Sequence, residues 1–305
     1  MRTPLVPCLA TLALLTACAP AERPDADAAP PAVAVDVANV GLAVPEAVLH
    51  DPAADVYLVS NINGLPADKD DNGFITRLSP AGEVATLKWI DGAAENVTLH
   101  APKGMALRND TLFVADIDAV RLFDRVSGAP LGEWPLEGAA FLNDLAVGPD
   151  GTLYVTDTGV EATDAGLNPN GKDGVYRRDG DRWVAIVSGA GLGNPNGILA
   201  ESGGLTIVTF VSGEVYTLNP ATGERSVLAK PEHGGLDGVV RLPDGSLLIG
   251  SWGAAGIYRL DPAGLFTMQG TDTIPSPADL GLDAVRNVLL IPDFTADRVL
   301  LRPLR

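Results

Sequence analysis

Only two of the 305 residues are cysteines, and both fall in the first eighteen, at Cys8 and Cys18. Everything downstream lacks a thiol. That excludes a disulfide framework, a cysteine nucleophile and a thiolate metal site from the rest of the chain. Aromatic residues are scarce, at 5%, and 21 Lys plus Arg stand against 39 Asp plus Glu, a formal charge of -18. A surface that acidic repels phosphate, and no Lys/Arg-rich run offsets it locally, so nucleic acid is excluded as a partner. No G-x-S-x-G phrase occurs, so a serine nucleophile elbow is absent. What is plentiful is hydrophobic residues (46%), Gly (34) and Pro (24). That mixture supports a sizeable core built from many short strands joined by turns.

The N-terminus reads as an address. Arg2 gives a positive start, and Leu5 to Leu15 is an apolar run of 11 residues, where a membrane-spanning helix needs roughly 20. The run ends in Leu15-Thr16-Ala17-Cys18, which resembles the lipobox of bacterial lipoproteins. The resemblance implies a signal peptide of residues 1–17 and lipidation of Cys18, so that the membrane is met through a lipid anchor only. With Ala19 in place of Asp, it also implies an exported lipoprotein at the outer membrane or periplasm of a Gram-negative bacterium. Residues 18–31, mostly Ala, Pro and Asp, read as a disordered tether. The domain expected to fold is then 32–305.

Within it one phrase recurs six times: an apolar strand, a turn, and a second apolar strand ending in a polar residue. The copies are PEAVLHDPAADVYLVSN from Pro45, PKGMALRNDTLFVAD from Pro102, NDLAVGPDGTLYVTD from Asn143, PNGILAESGGLTIVT from Pro195, LDGVVRLPDGSLLIGS from Leu236 and ADLGLDAVRNVLLIPD from Ala278. Each leads to a third strand phrase, such as Phe74 to Leu78 or Ile257 to Leu260. Six such units predict an all-β fold, a six-bladed β-propeller. Insertions are expected near Asn63 to Gly73 and near Val160 to Asp173. The sixth copy ends after its third strand, and the orphan run Ala32 to Val37 is expected to supply the fourth. This N-terminal strand would close the last blade and leave no open edge.

Innermost strands of a propeller meet at a central channel, so equivalent positions near their starts form a ring. That slot reads Glu46, Lys103, Asp144, Asn196, Asp237 and Asp279, with Asn143 beside Asp144 as an alternative. Four carboxylates in one ring repel unless protons or a cation intervene. The donors are all oxygen, which favours Ca2+, then Mg2+ or Mn2+, with Zn2+ less natural.

These phrases resemble the regucalcin and gluconolactonase family of six-bladed propellers, also called senescence marker proteins. The resemblance implies one divalent ion at the channel mouth, held by Glu46, Asn196 in Pro195-Asn196-Gly197-Ile198, and Asp237 in Leu236-Asp237-Gly238-Val239. Leu142-Asn143-Asp144 matches a substrate-pocket phrase. The implied activity is lactonase-type hydrolysis of a carboxylic ester: the ion polarises the lactone carbonyl and activates water. Asp237 or Asp144 would be the general base, with Asn143 and Lys103 binding substrate. Phe141 stands where many sugar-lactone members carry Arg, which weighs against a polyhydroxy lactone and leaves an apolar or anionic one. The expected partner is a small lactone or ester, and the expected state a monomer.

Rival readings are fewer. His100 and His233 sit in loops close before Lys103 and Asp237, where paraoxonase-type propellers place a histidine base; an exposed loop histidine is the plainer reading. Asp68 to Ile75 copies half an EF-hand loop but has Ser79 at the twelfth position. Gly189 to Gly193 is a loop and not a nucleotide site. From another class, the chain would be a non-catalytic propeller that binds a ligand or protein partner, with any metal purely structural.

Overall fold

The computed structural model describes residues 33–163 and 166–304. The expected signal peptide, tether and lipidated Cys18 lie outside the described residues. Among the described residues the regular elements are all strands, apart from one short 3-10 turn, Phe294–Ala296. Among the described residues no helix is long and apolar enough to cross a membrane.

The described strands form six four-stranded antiparallel sheets and one separate two-stranded hairpin. Blade 1 runs Pro45–Asp51, Val56–Asn61, Phe74–Leu78, Val84–Asp91, and blade 2 runs Pro102–Arg108, Thr111–Asp116, Ala119–Asp124, Pro130–Pro135. Blade 3 is Leu142–Val147, Leu153–Asp157, Gly174–Asp179, Arg182–Ser188, and blade 4 is Pro195–Glu201, Gly204–Thr209, Val215–Leu218, Arg225–Ala229. Blade 5 is Leu236–Arg241, Leu247–Ser251, Gly256–Leu260, Phe266–Met268. Blade 6 takes Gly281–Asp283, Val288–Asp293 and Arg298–Pro303 from the C-terminus and Val35–Ala38 from the other end of the chain. Val35 pairs with Leu301 and Ala38 with Arg298. The closing strand is therefore found, one residue beyond its expected end at Val37.

Each blade packs against two neighbours, so the apolar core is divided into six layers, one per blade junction. Second strands are covered on both faces, which explains why Leu153–Asp157, Leu247–Ser251 and Val288–Asp293 are buried along their whole length and read as unbroken apolar runs. Outer strands such as Pro130–Pro135 are largely exposed, and their pattern was too weak to read.

In five of the six blades the polar residue ending the second strand ties the blade to the loop that enters it; in blade 4 Thr209 instead bonds Ser212 and Glu214 in the turn that follows. Asp116 accepts the backbone N–H groups of His100 and Ala101, and Asp157 accepts those of Ala140 and Phe141. Asn61 accepts from Ala43, Asp293 from Ser276, and the Ser251 hydroxyl donates to the Gly234 carbonyl. All five side chains are fully buried, where such bonds cannot be replaced by water. The two insertions lie where expected. Residues 62–73 join the second and third strands of blade 1, and the hairpin Val160–Thr163 with Gly166–Pro169 extends the same connection in blade 3.

Candidate metal and substrate site

A register break at the start of the first strand builds the site. In blades 1 to 5 the first residue of that strand pairs normally: Pro45 with Asn61, Pro102 with Asp116, Leu142 with Asp157, Pro195 with Thr209, Leu236 with Ser251. The ladder then slips, and the second residue is left out of it. A bulge of this kind re-aims a side chain. The residues so released are Glu46, Lys103, Asn143, Asn196 and Asp237, and all of them line one cavity of about 160 Å³ at the channel mouth.

The register also corrects the expected ring. Leu142 is the first residue of blade 3, so its second is Asn143, and Asp144 is third. In blade 6, Pro277 bridges Asp293, which makes Ala278 second and Asp279 third. Asp144 and Asp279 accordingly line the channel below the cavity floor. Sequence spacing alone could not separate the two tiers, because they differ by one residue.

The lower tier is crowded. At the third position blades 2, 4 and 5 have Gly104, Gly197 and Gly238, none of them in left-handed backbone. A Cβ on Gly104 would lie 2.4 Å from Asp144 Oδ1, one on Gly197 2.4 Å from the Asp237 carbonyl oxygen, and one on Gly238 2.2 Å from Leu280 N. These glycines let neighbouring inner strands approach. They are not the turn residues that the Asn-Gly and Asp-Gly pairs suggest.

Hydrogen bonds orient the upper tier. Asn143 Nδ2 donates to Thr158 Oγ1 (2.9 Å), whose hydroxyl donates to the Pro195 carbonyl (2.9 Å). That chain fixes the amide so that Asn143 presents its oxygen. Thr156 donates to the Asn196 carbonyl (2.6 Å), sewing blade 3 to blade 4. Lys103 Nζ donates to the Ala101 carbonyl (2.9 Å) and stands 4.2 Å over the Phe141 ring. Four buried oxygens on the cavity wall are left without a hydrogen-bond partner: Glu46 Oε2, Asn143 Oδ1, Asn196 Oδ1 and Asp237 Oδ1. Buried polar atoms are rarely orphaned, and four acceptors on one small cavity point to a missing donor or cation.

The electrostatics agree. Burial, then the neighbouring Asp237, pushes the Glu46 carboxyl well above its usual range, against the pull of Lys103. Burial raises Asp237 to about 8, opposed by the Trp252 indole beside it and assisted by Asp144. Burial likewise raises Asp144 to about 7, although it accepts the N–H groups of Ile198 and Leu145. Asp279, its hydrogen-bonded partner, is raised well above the ordinary value by burial and by Asp144. Burial lowers Lys103 to about 8, with Asp116 and Glu46 pulling the other way. One cation among four carboxyls leaves a site that is proton-rich when nothing else is bound. Two carboxylates and two amide oxygens suit a hard divalent ion, whose remaining positions water or substrate can fill. Among the described residues no three His, Cys, Asp or Glu side chains cluster as a metal site; the amides complete this set.

Neither histidine joins it. His100 Nδ1 accepts from Asp71 N (3.1 Å), and His233 is exposed. The acidic turn at Asp68 to Gly73 is tied to its surroundings: Lys69 pairs with Asp118 of blade 2, Asp71 accepts from Leu99 N (3.2 Å), and Asn72 donates to Asp70 (2.6 Å).

A second ring had no counterpart in the sequence reading. The residue directly after the polar end of each second strand is Ile62, Ile117, Thr158, Phe210, Trp252 or Phe294. All but Ile117 line the cavity above its oxygen floor. The signal was present as a fixed offset from a repeated polar residue, but its chemical identity varies from copy to copy.

No protein-family model matches the chain. No curated protein matches it either. Solved structures do. A gluconolactonase from Xanthomonas campestris superposes with a TM-score of 0.65 at 17% identity, over 87% of each chain. A calcium-binding protein, regucalcin, from Agrobacterium tumefaciens gives 0.61 at 16%, over 86% of this chain and 90% of that one. A virginiamycin B lyase from Staphylococcus aureus gives 0.59 at 14%, over 90% of this chain and 99% of that one. At such identities the likeness is one of fold: this chain is a six-bladed propeller like those of gluconolactonase and regucalcin structures.

Proposed function

We propose that the protein is a divalent-cation-dependent hydrolase of carboxylic esters, acting on lactones in the cavity at the channel mouth. The convergence of four unpartnered buried oxygens on one cavity carries the reading. Glu46, Asn196 and Asp237 would hold the ion, with calcium the first choice for an all-oxygen set. When bound, it supplies a Lewis acid for the ester carbonyl and makes a water molecule acidic.

The chain's own groups do the rest. Asp237 offers a carboxylate in a water-poor setting to take a proton from attacking water, and the Asp144–Asp279 pair beneath opposes a second negative charge there. Lys103 places the one ammonium of the site where hydrolysis releases a new carboxylate. Asn143 presents an oxygen, which suits a hydroxyl donor or the ion itself and does not suit an ester carbonyl oxygen. The fold neighbours named gluconolactonase and regucalcin are consistent with lactones and calcium. Anchoring by lipid at Cys18, on the outer-membrane or periplasmic side, completes the proposal and rests on the Leu15 to Cys18 phrase.

The test is a lactone panel assayed with calcium, magnesium, manganese and zinc, wild type beside Asp237→Ala. Turnover that needs the metal and disappears in the variant is expected. Unchanged turnover and metal binding in Asp237→Ala would overturn the assignment, and calcium stabilisation with no turnover of any lactone would make the ion structural.

A further inference from the structure

We infer, resting on the hydrolase reading for the location of the site, that the substrate is a lactone bearing a hydrocarbon substituent and not a polyhydroxylated one. The observation is the chemistry of the collar above the oxygen floor. Of the five residues of that structurally repeated slot that line the cavity, four are apolar and one is Thr158. The Thr158 hydroxyl is already committed on both sides, accepting from Asn143 and donating to the Pro195 carbonyl.

Three of the five form a continuous aromatic wall across blades 4, 5 and 6. The Phe210 and Trp252 rings meet edge to face at 5.4 Å and 80°, and Trp252 meets Phe294 at 5.2 Å and 53°. Opposite them the blade 3 hairpin contributes Val160 and Leu167. At the mouth Val211 is 56% exposed and Leu167 42% exposed, so the apolar lining continues to solvent. Phe141 covers the ammonium of Lys103 at 4.2 Å.

The free donors in the cavity are the Lys103 ammonium, the Trp252 indole N–H, which leans on Asp237, and the Asn196 amide, and all three sit on or beside the oxygen floor. That set suffices for one ester group. Asn143 Oδ1 can accept one hydroxyl, but a sugar lactone would bring several, the rest of them against aromatic and aliphatic walls, where each buried without a partner costs roughly tenfold in affinity or more. A hydrocarbon chain in the same place gains about three- to fourfold per methylene buried.

The test separates binding from turnover. Unreactive cyclic amides replace the lactones: six-membered lactams carrying hydrogen, methyl, propyl, pentyl or heptyl on the ring carbon, and the polyhydroxy gluconolactam. Their affinities are measured calorimetrically on the full chain carrying Cys18→Ser, with and without calcium. Affinity is expected to rise about threefold per methylene over the first several carbons, with gluconolactam the weakest. Val211→Asn, an exposed position whose change leaves the melting temperature in place, and Phe210→Ser should each flatten the increment. A flat series, or gluconolactam binding more tightly than the pentyl lactam, overturns the inference. Lactonase assays on the matching lactones run in parallel. If the alkyl increment is present but no lactone is turned over, the hydrolase reading fails and the substrate-class inference stands. If gluconolactone is hydrolysed in preference, the hydrolase reading stands and this inference fails.

Discussion

Asn143 and Asp144 are consecutive in the chain yet serve different compartments. Asn143 opens onto the cavity at the channel mouth, and Asp144 onto the channel beneath it, where it meets Asp279 from the opposite blade. The bulge at the start of the blade 3 inner strand produces this division. It also sorts the acidic residues by place: Glu46 and Asp237 line the cavity, while Asp144 and Asp279 line the channel beneath it.

Calcium should stabilise the protein through the upper tier. At a hundredfold excess over its dissociation constant a single bound ion adds about 2.7 kcal/mol, which for a domain of this size is a rise of roughly 5–10 °C in melting temperature. Asp237→Ala and Glu46→Gln should each abolish most of that rise. Scanning calorimetry with and without the ion measures it.

Stability without metal should fall as pH rises. The folded state keeps protons on Glu46, Asp237, Asp144 and Asp279 that the unfolded chain gives up above about pH 4, because burial raises all four. The folded form thus binds more protons, and stability declines from about pH 4 to about pH 8 by a few kcal/mol. Saturating calcium should remove most of the slope, since the ion replaces protons on Glu46 and Asp237. Urea titrations at several pH values measure it, and a profile that does not fall between pH 5 and pH 8 would show that the carboxyls are ionised throughout.

Asp279→Asn should relieve the lower tier. An amide opposite Asp144 donates a hydrogen bond where a second carboxylate repels, so the variant should gain about 1 kcal/mol near pH 8. Calcium affinity should change little. A loss of stability at that pH would show that the pair shares its proton without cost.

Gly104→Ala should be poorly tolerated despite ordinary backbone angles. The new methyl would stand 2.4 Å from Asp144 Oδ1 and 2.6 Å from its Cα. The inner strands of blades 2 and 3 would have to part, at a cost of about 2–3 kcal/mol. Chemical denaturation reads it directly, and a neutral result would mean that the strands separate freely.

Ring closure should depend on the short strand Val35–Ala38. Val37 is buried at 3% in the junction of blades 6 and 1. Val37→Asp would place an unpaired charge there and expose the edge of Arg298–Pro303, lowering stability by about 3 kcal/mol and promoting aggregation. Light scattering on heating would reveal the open edge.

Much of this was legible in the sequence. Six copies of an apolar–turn–apolar phrase determine six blades, because a second strand covered on both faces must be apolar throughout and a buried strand end must carry a polar side chain to satisfy its neighbours. The orphan strand before the first copy determines where the ring closes. Glu46, Lys103, Asn143, Asn196 and Asp237 could be named from their phrases alone. Tertiary structure decided the rest. Which of two adjacent residues faces the cavity depends on a bulge, and a one-residue slip leaves no mark on spacing. That Gly197 and Gly238 serve close strand approach and not turns depends on the neighbouring blade. The aromatic collar depends on loops from three blades converging above the floor, and sequence distance carries no record of that convergence.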